Sequence, residues 1–249
     1  MQLIINFKVL MNNTLVIIPT FNEKDNIENI IRATFSQKKE FDILVVDDNS
    51  PDGTAKIVNH LQKEFTTNLF IENRKEKTGL GAAYIHGFKW ALNKKYDYII
   101  EMDADFSHNP KDLIRLYKSC ENGADVSIGS RYVKGKINVV NWDFKRIALS
   151  VIASKYVRFI TRIPVYDTTA GFVCYKRKVL EKIDLDSIHF VGYAFQIEMK
   201  FKAWKHEFNI KEVNIIFTDR VAGESKMSGS IISEAVFGVI KMTVKGIKN

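Results

Sequence analysis

Apolar residues in this chain arrive in short unbroken runs, separated by segments with helical spacing. Residues 15–19, Leu-Val-Ile-Ile-Pro, show no polar alternation, the pattern of a strand buried on both faces. Residues 41–46, 68–73 and 96–102 continue the series of predicted strands. Between them, residues 54–65 and 79–94 are predicted helices, and Asn22 is expected to cap another whose Ile27, Ile30 and Ile31 share one side. Strand–helix alternation with short connections predicts an α/β fold, a mostly parallel central sheet with helices on both faces. Two further helical stretches combine an apolar stripe with cations. In residues 144–160, Phe144, Ile147, Ala148, Val151 and Ile152 form the stripe, with Lys155, Arg158 and Arg162 beyond it. In residues 231–248, Ile232, Ala235, Val236, Val239 and Ile240 face away from Lys241, Lys245 and Lys248. Each reads as a core-packing helix with a solvated face, or as one lying in the interface of an anionic bilayer. The expected organisation is an N-terminal extension over residues 1–13, an α/β domain over 14–229 and a C-terminal amphipathic helix over 230–249.

Composition narrows the class. With 249 residues, 46% hydrophobic and 27% charged, the chain is an ordinary globular protein, which excludes disorder and fibrous repeats. Thirty-seven basic residues against 29 acidic ones give +8, which favours phosphates, nucleic acid or an anionic membrane surface. Nucleic acid is set aside, because basic runs interleaved with aromatics are missing. Cys120 and Cys174 are too few for a disulfide framework and read as buried thiols of a reducing compartment. The apolar runs around residues 147–160 and 231–240 are interrupted by Lys155 and Glu234, so neither spans a bilayer. The first residues lack a secretory cleavage pattern, and Met11 could equally be the start.

The chemistry concentrates where the predicted strands end, which is where open α/β sheets bind ligands. Asp103-Ala104-Asp105 follows the strand through Met102. In an extended segment, carboxylates two residues apart point the same way and can share a hard divalent cation, Mg2+ or Mn2+; a solvated acidic turn is the plainer alternative. Asp47 and Asp48 follow another buried run, where adjacent acids are costly unless something donates to them, as a nucleobase or ribose would. Gly79-Leu80-Gly81 looks like a dinucleotide loop, but Tyr84 stands where the third glycine belongs, so it reads as a closely packed helix start. Arg131, Arg220 and Lys226 border glycine-containing segments and suit a diphosphate, although any one alone reads as a surface cation. The five histidines have no metal-binding spacing.

Six strings together resemble family-2 glycosyltransferases of GT-A fold, and within them the dolichyl-phosphate mannosyltransferases. They are Ile18-Pro-Thr-Phe-Asn-Glu23, Val45-Val-Asp-Asp-Asn-Ser-Pro-Asp-Gly53, Gly79-Leu-Gly-Ala-Ala-Tyr-Ile-His-Gly87, Met102-Asp-Ala-Asp-Phe-Ser-His-Asn-Pro110, Gly129-Ser-Arg-Tyr132 and Asp219-Arg-Val-Ala-Gly-Glu-Ser-Lys226. The resemblance runs from about Leu15 to Met227. It implies that Pro19, Phe21, Glu23, Val46 and Asp48 hold guanosine, Phe21 standing where relatives often carry Tyr. It implies that Asp103, Ala104 and Asp105 contact nucleotide and metal, with Ser107 a further metal ligand where some relatives have Gln. Arg131, Arg220 and Lys226 would bind the phosphates of donor and acceptor. The activity implied is mannosyl transfer from GDP-mannose to dolichyl phosphate, with inversion to a β-linked product. Association would be peripheral, on the cytosolic face of the endoplasmic reticulum membrane, with or without small membrane-anchoring subunits. UDP-glucose as donor, or a non-catalytic nucleotide-sugar-binding subunit, are the alternatives.

Overall fold

The computed structural model describes residues 13–133, 136–190, 192, 194–219 and 238–244. A seven-stranded sheet forms the centre, in the order β10-β5-β9-β4-β1-β2-β3. Its strands are β1 (Thr14–Thr20), β2 (Asp42–Asp47), β3 (Leu69–Asn73), β4 (Tyr98–Glu101), β5 (Val126–Ser130), β9 (Val173–Lys176) and β10 (Ile210–Asn214). β9 alone runs antiparallel to both of its neighbours, and every other pair in the sheet is parallel. The short strands β6 (Tyr132–Val133) and β7 (Lys136–Ile137) pair with each other, and β8 (Val139–Val140) pairs with β11 (Phe217–Thr218).

Helices cover both faces, and β1 shows why its apolar run is unbroken. Val16 and Ile18 pack into one core with α1 (Ile27–Phe35), α2 (Thr54–Leu61) and α4 (Leu113–Glu121). Leu15 and Ile17 point the other way, into a core with α3 (Leu80–Asn93), α6 (Arg177–Lys182) and α7 (Phe195–Lys205). Alternate side chains of one strand thus fill two different cores. Close packing accounts for two glycines of α3. A Cβ on Gly81 would lie 2.7 Å from Phe195, and one on Gly87 would lie 2.8 Å from Ile17.

Several boundaries differ from expectation. α1 begins at Ile27 with Asn26 as its N-cap, so Asn22 is not the cap. Asn22 instead sits in a turn at φ 58°, where its N–H donates to Ser50 Oγ. β4 is shorter at both ends than the predicted strand, and α2 ends at Leu61. The stripe expected on α5 (Phe144–Thr161) is not core: the residues α5 buries are Ser154, Val157 and Thr161. The extension over residues 1–13 and the helix over 230–249 fall almost wholly outside the described residues, of which 238–244 are helical. Cys120 and Cys174 are buried free thiols. Among the described residues, no helix is long and apolar enough to cross a membrane.

Candidate active site

The chain crosses over between β1 and its two neighbours, β2 on one side and β4 on the other, and the acidic segments emerge where all three end. With strands roughly 4.8 Å apart, the ends of β4 and β2 lie about 10 Å from one another, a span suited to a small ligand at a topological switch point. The β1 and β2 ends are tied together: Thr20 Oγ1 donates to Asp47 Oδ1 at 2.8 Å, and the Asp48 N–H donates to the Thr20 carbonyl at 2.9 Å. Asp47 also accepts from the Ser50 N–H and hydroxyl. Its buried charge is therefore satisfied from within the protein. Asp48, 5% exposed, takes Arg74 Nη1 at 2.7 Å. Burial pushes its carboxyl up from the ordinary value, against the pull of Arg74.

Around this pair lie the other residues expected at a nucleoside. Val46 is fully buried opposite Pro19 in the sheet register. Phe21 carries Lys77 Nζ 4.3 Å from its ring centre. Glu23 accepts from Asn26 Nδ2, while its N–H donates to Thr54 Oγ1. Pro19, Phe21, Glu23, Val46 and Asp48 thus belong to one knitted corner.

β4 ends at Glu101 and the backbone bends from Ala104 on, so Asp103 and Asp105 do not share the extended segment expected. The Asp103 side chain is 34% exposed and accepts from the buried Tyr84 hydroxyl at 3.3 Å. Its N–H donates to His108 Nδ1 at 3.1 Å. That bond assigns the ring proton to Nε2, and burial lowers the imidazole's pKa, so His108 is a neutral prop for the loop. Phe172 stacks against its ring. Asp105 Oδ1 accepts from the Ser107 N–H at 3.0 Å, and Ala104 and Ser107 are buried with it. Hard carboxylate oxygens, one of them facing outward, suit a divalent cation whose other ligands come from phosphate and water. No cluster of three or more acidic, His or Cys groups suited to a metal occurs among the described residues.

Arg131 is held firmly. Its Nε and Nη2 bond both oxygens of Asp167 at 2.7 and 2.6 Å, its N–H bonds Oδ2, and Nη2 reaches Thr169 at 2.8 Å. Tyr132, Trp142 and Phe217 ring the guanidinium within 5.5 Å. Burial would raise the Asp167 carboxyl, but the guanidinium more than offsets this and holds it below the usual range. Arg220 and Lys226 lie outside the described residues.

Further charges stand behind the Asp103 loop. Lys200 of α7 is fully buried and donates to the Ala170 carbonyl at 2.6 Å, the Gln196 carbonyl at 3.0 Å and Gln196 Oε1 at 3.1 Å. Gln196 in turn donates to Glu101 Oε2 at 2.9 Å. Burial pushes Glu101 up to about 8, against the pull of Lys200. It brings Lys200 down to about 8, opposed by Glu101 and Asp167. The sequence reading gave no site role to Tyr84, His108, Asp167 or Lys200. Glu101 carried a legible sign, a carboxylate inside a run of strand residues buried on both faces.

Residues 15–184 match the family model described as glycosyl transferase family 2. The chain belongs to that family. It is 46% identical over 233 residues to a polyprenol monophosphomannose synthase of Mycolicibacterium smegmatis, covering 94% of this chain and 88% of that one. An undecaprenyl-phosphate mannosyltransferase of Micrococcus luteus is 42% identical over 227 residues, covering 91% and 92%. The fold resembles a Mycobacterium tuberculosis glucosyl-3-phosphoglycerate synthase complexed with Mn2+ and UDP (TM-score 0.63, 16% identity, 92% and 78% covered). It also resembles a Pyrobaculum calidifontis mannosyltransferase complexed with GDP-Man and Mn2+ (TM-score 0.59, 19% identity, 86% and 58% covered). The GT-A fold and the glycosyltransferase class expected from the motifs are therefore those of this enzyme.

Proposed function

We propose that the enzyme transfers mannose from GDP-mannose to a polyprenyl phosphate, releasing GDP. The observation that carries the substrate reading is the 46% identity, across 94% of the chain, to a polyprenol monophosphomannose synthase. The acidic corner at the ends of β1, β2 and β4 supports the donor half. Asp48, paired on one oxygen with Arg74, would accept from N–H and O–H groups of a nucleoside. Asp103 and Asp105 would hold Mg2+ or Mn2+, a donor set whose hard oxygens fit such an ion, with Ser107 as a further ligand. That ion would supply Lewis-acid neutralisation of the diphosphate as its charge develops.

The protein's own cations share that task. Arg131, with Arg220 and Lys226, would face the donor and acceptor phosphates. The bond to Asp167 fixes where the Arg131 guanidinium stands, so charge stabilisation needs no reorganisation at the moment of reaction. The acceptor is itself an ionised phosphate, its second pKa about 6, and so needs no protein base. The neutral, hydrogen-bonded His108 agrees with that economy. Attack from the side opposite the leaving diphosphate gives inversion and a β-mannosyl phosphate.

Dolichyl phosphate and the cytosolic face of the endoplasmic reticulum form one refinement of this proposal. The two mannosyltransferase relatives above are bacterial, so the proposal is made for polyprenyl phosphates as a class, with peripheral membrane contact. Incubating purified protein and Mn2+ with labelled GDP-mannose or UDP-glucose, and with dolichyl or undecaprenyl phosphate, tests it through label in the organic phase. GDP-mannose-dependent label with a β anomer supports the reading. Transfer only from UDP-glucose, or retention, overturns it.

A further inference from the structure

The C-terminal half of α5 carries a feature that catalysis does not use. Lys155, Arg158, Phe159, Ile160, Arg162 and Pro164 line an open cavity of about 710 Å3. Three cations converge there. Among the described residues, none of the three forms an ion pair with a carboxylate, although Arg146 near the start of the same helix does. The Arg158 guanidinium lies 4.2 Å from the Tyr166 ring centre, and its Nε–H is shielded from solvent with no hydrogen-bond acceptor among the described residues. An unsatisfied charged donor is costly to keep buried. Arg162 ends α5 in the left-handed region at φ 60°, a conformation that favours glycine, and the chain turns there at the cavity wall. Part of this positive charge is welcome at a helix C-terminus. The helix dipole does not explain an orphan N–H, nor the apolar surface beside it: Phe159 is 82% and Ile152 62% exposed on the same helix.

Cations without counterions beside exposed aromatic and aliphatic side chains fit an anionic amphiphile, whose phosphate takes the positive end and whose chains take the apolar one. We infer that this cavity binds the phosphate head group of an anionic bilayer phospholipid, docking α5 on the membrane at a site separate from the donor corner. The inference deepens the proposed function by naming the membrane component that is recognised, and it rests on that reading for its relevance to catalysis.

The test compares wild type with the Lys155→Gln/Arg158→Gln/Arg162→Gln protein in vesicle sedimentation, using pure phosphatidylcholine and phosphatidylcholine with 30% phosphatidylglycerol. A control protein, Lys38→Gln/Lys95→Gln/Lys118→Gln, loses the same charge from exposed positions elsewhere. Each cation near an anionic surface contributes on the order of a factor of five, so the cavity triple should bind anionic vesicles roughly a hundredfold more weakly. The control should bind as wild type does, and turnover of a short-chain, water-soluble polyprenyl phosphate should be unchanged in all three. Equal loss in the control would overturn the inference, reducing the effect to net charge. Unchanged vesicle binding by the cavity triple with a raised KM for the short-chain acceptor would also overturn it, assigning the cavity to the substrate phosphate. Because vesicle binding needs no turnover, failure of the mannosyltransferase reading would be seen separately, as a wild type that binds vesicles but transfers nothing.

Discussion

Replacing Asp167 by Ala strips the buried guanidinium of Arg131 of its counterion. The carboxylate is fully buried and bonds Nε, Nη2 and the backbone N–H of Arg131, a residue only 8% exposed. Breaking a buried pair by deleting one partner costs about 3–5 kcal/mol, mostly because the remaining charge stays desolvated. For a domain of this size each kcal/mol lowers Tm by roughly 2–4 °C, so a fall of about 6–20 °C is expected. Removing both charges in Asp167→Ala/Arg131→Met should recover a large part of the loss, since no unpaired ion is then buried. The pH dependence has a definite sign. The Asp167 carboxyl is lower in the folded protein than in the unfolded chain, so its contribution is complete above the unfolded value of about 3.9. It fades as pH falls through the lower folded value, and this acid-sensitive part should vanish in the double variant. Urea unfolding followed by tryptophan fluorescence at neutral and acidic pH reads both quantities. A single-variant loss below about 1 kcal/mol, or a double variant no better than the single one, would show that the pair is not a buried, desolvated ion pair.

Four other outcomes follow from the same geometry. Tyr84→Phe removes the hydroxyl that donates to Asp103; loss of such outer support should raise the Mn2+ concentration for half-maximal activity roughly tenfold, read by metal titration. Gly81→Ala places a Cβ 2.7 Å from Phe195 and 2.9 Å from the Phe190 carbonyl, so thermal unfolding should show about 1–3 kcal/mol of destabilisation. Glu101→Gln should cost less than loss of Lys200, because burial pushes that carboxyl up and so favours its neutral form. Lys200→Met should cost about 2 kcal/mol or more by leaving the Ala170 and Gln196 carbonyls without their donor, and denaturant curves of these two proteins check the contrast.

What could be read from the sequence follows from how locally each feature is encoded. The strands β1 and β2 were plain because two covered faces demand unbroken apolar runs, and the acidic strand ends stood out against them. Residues 195–205 gave no such pattern. α7 is buried nearly all round, yet Gln196, Glu198, Lys200 and Lys202 occupy buried positions, so no apolar stripe marks it. Their partners lie far away in sequence, as Lys200 with Ala170 and Gln196 with Glu101 illustrate. Asp47 misled for a related reason: its donors, Thr20 and Ser50, come from the protein rather than a ligand. The loop around Arg131 singles it out in the sequence, but its partner Asp167, 36 positions on, is visible only in three dimensions. On α5 the apolar stripe was legible and its destination was not, because periodicity alone does not separate a core face from an exposed one.

We propose that mannosyl transfer takes place at the acidic corner at the ends of β1, β2 and β4. The most direct test is single-turnover transfer of labelled mannose from GDP-mannose to a polyprenyl phosphate by wild type and Asp105→Ala, each with Mn2+ and with chelator. Metal-dependent label in the lipid phase is expected from wild type, with at least a hundredfold loss in the variant, the scale of removing one element of charge stabilisation. Full transfer by Asp105→Ala, or by wild type in chelator, would contradict the proposal.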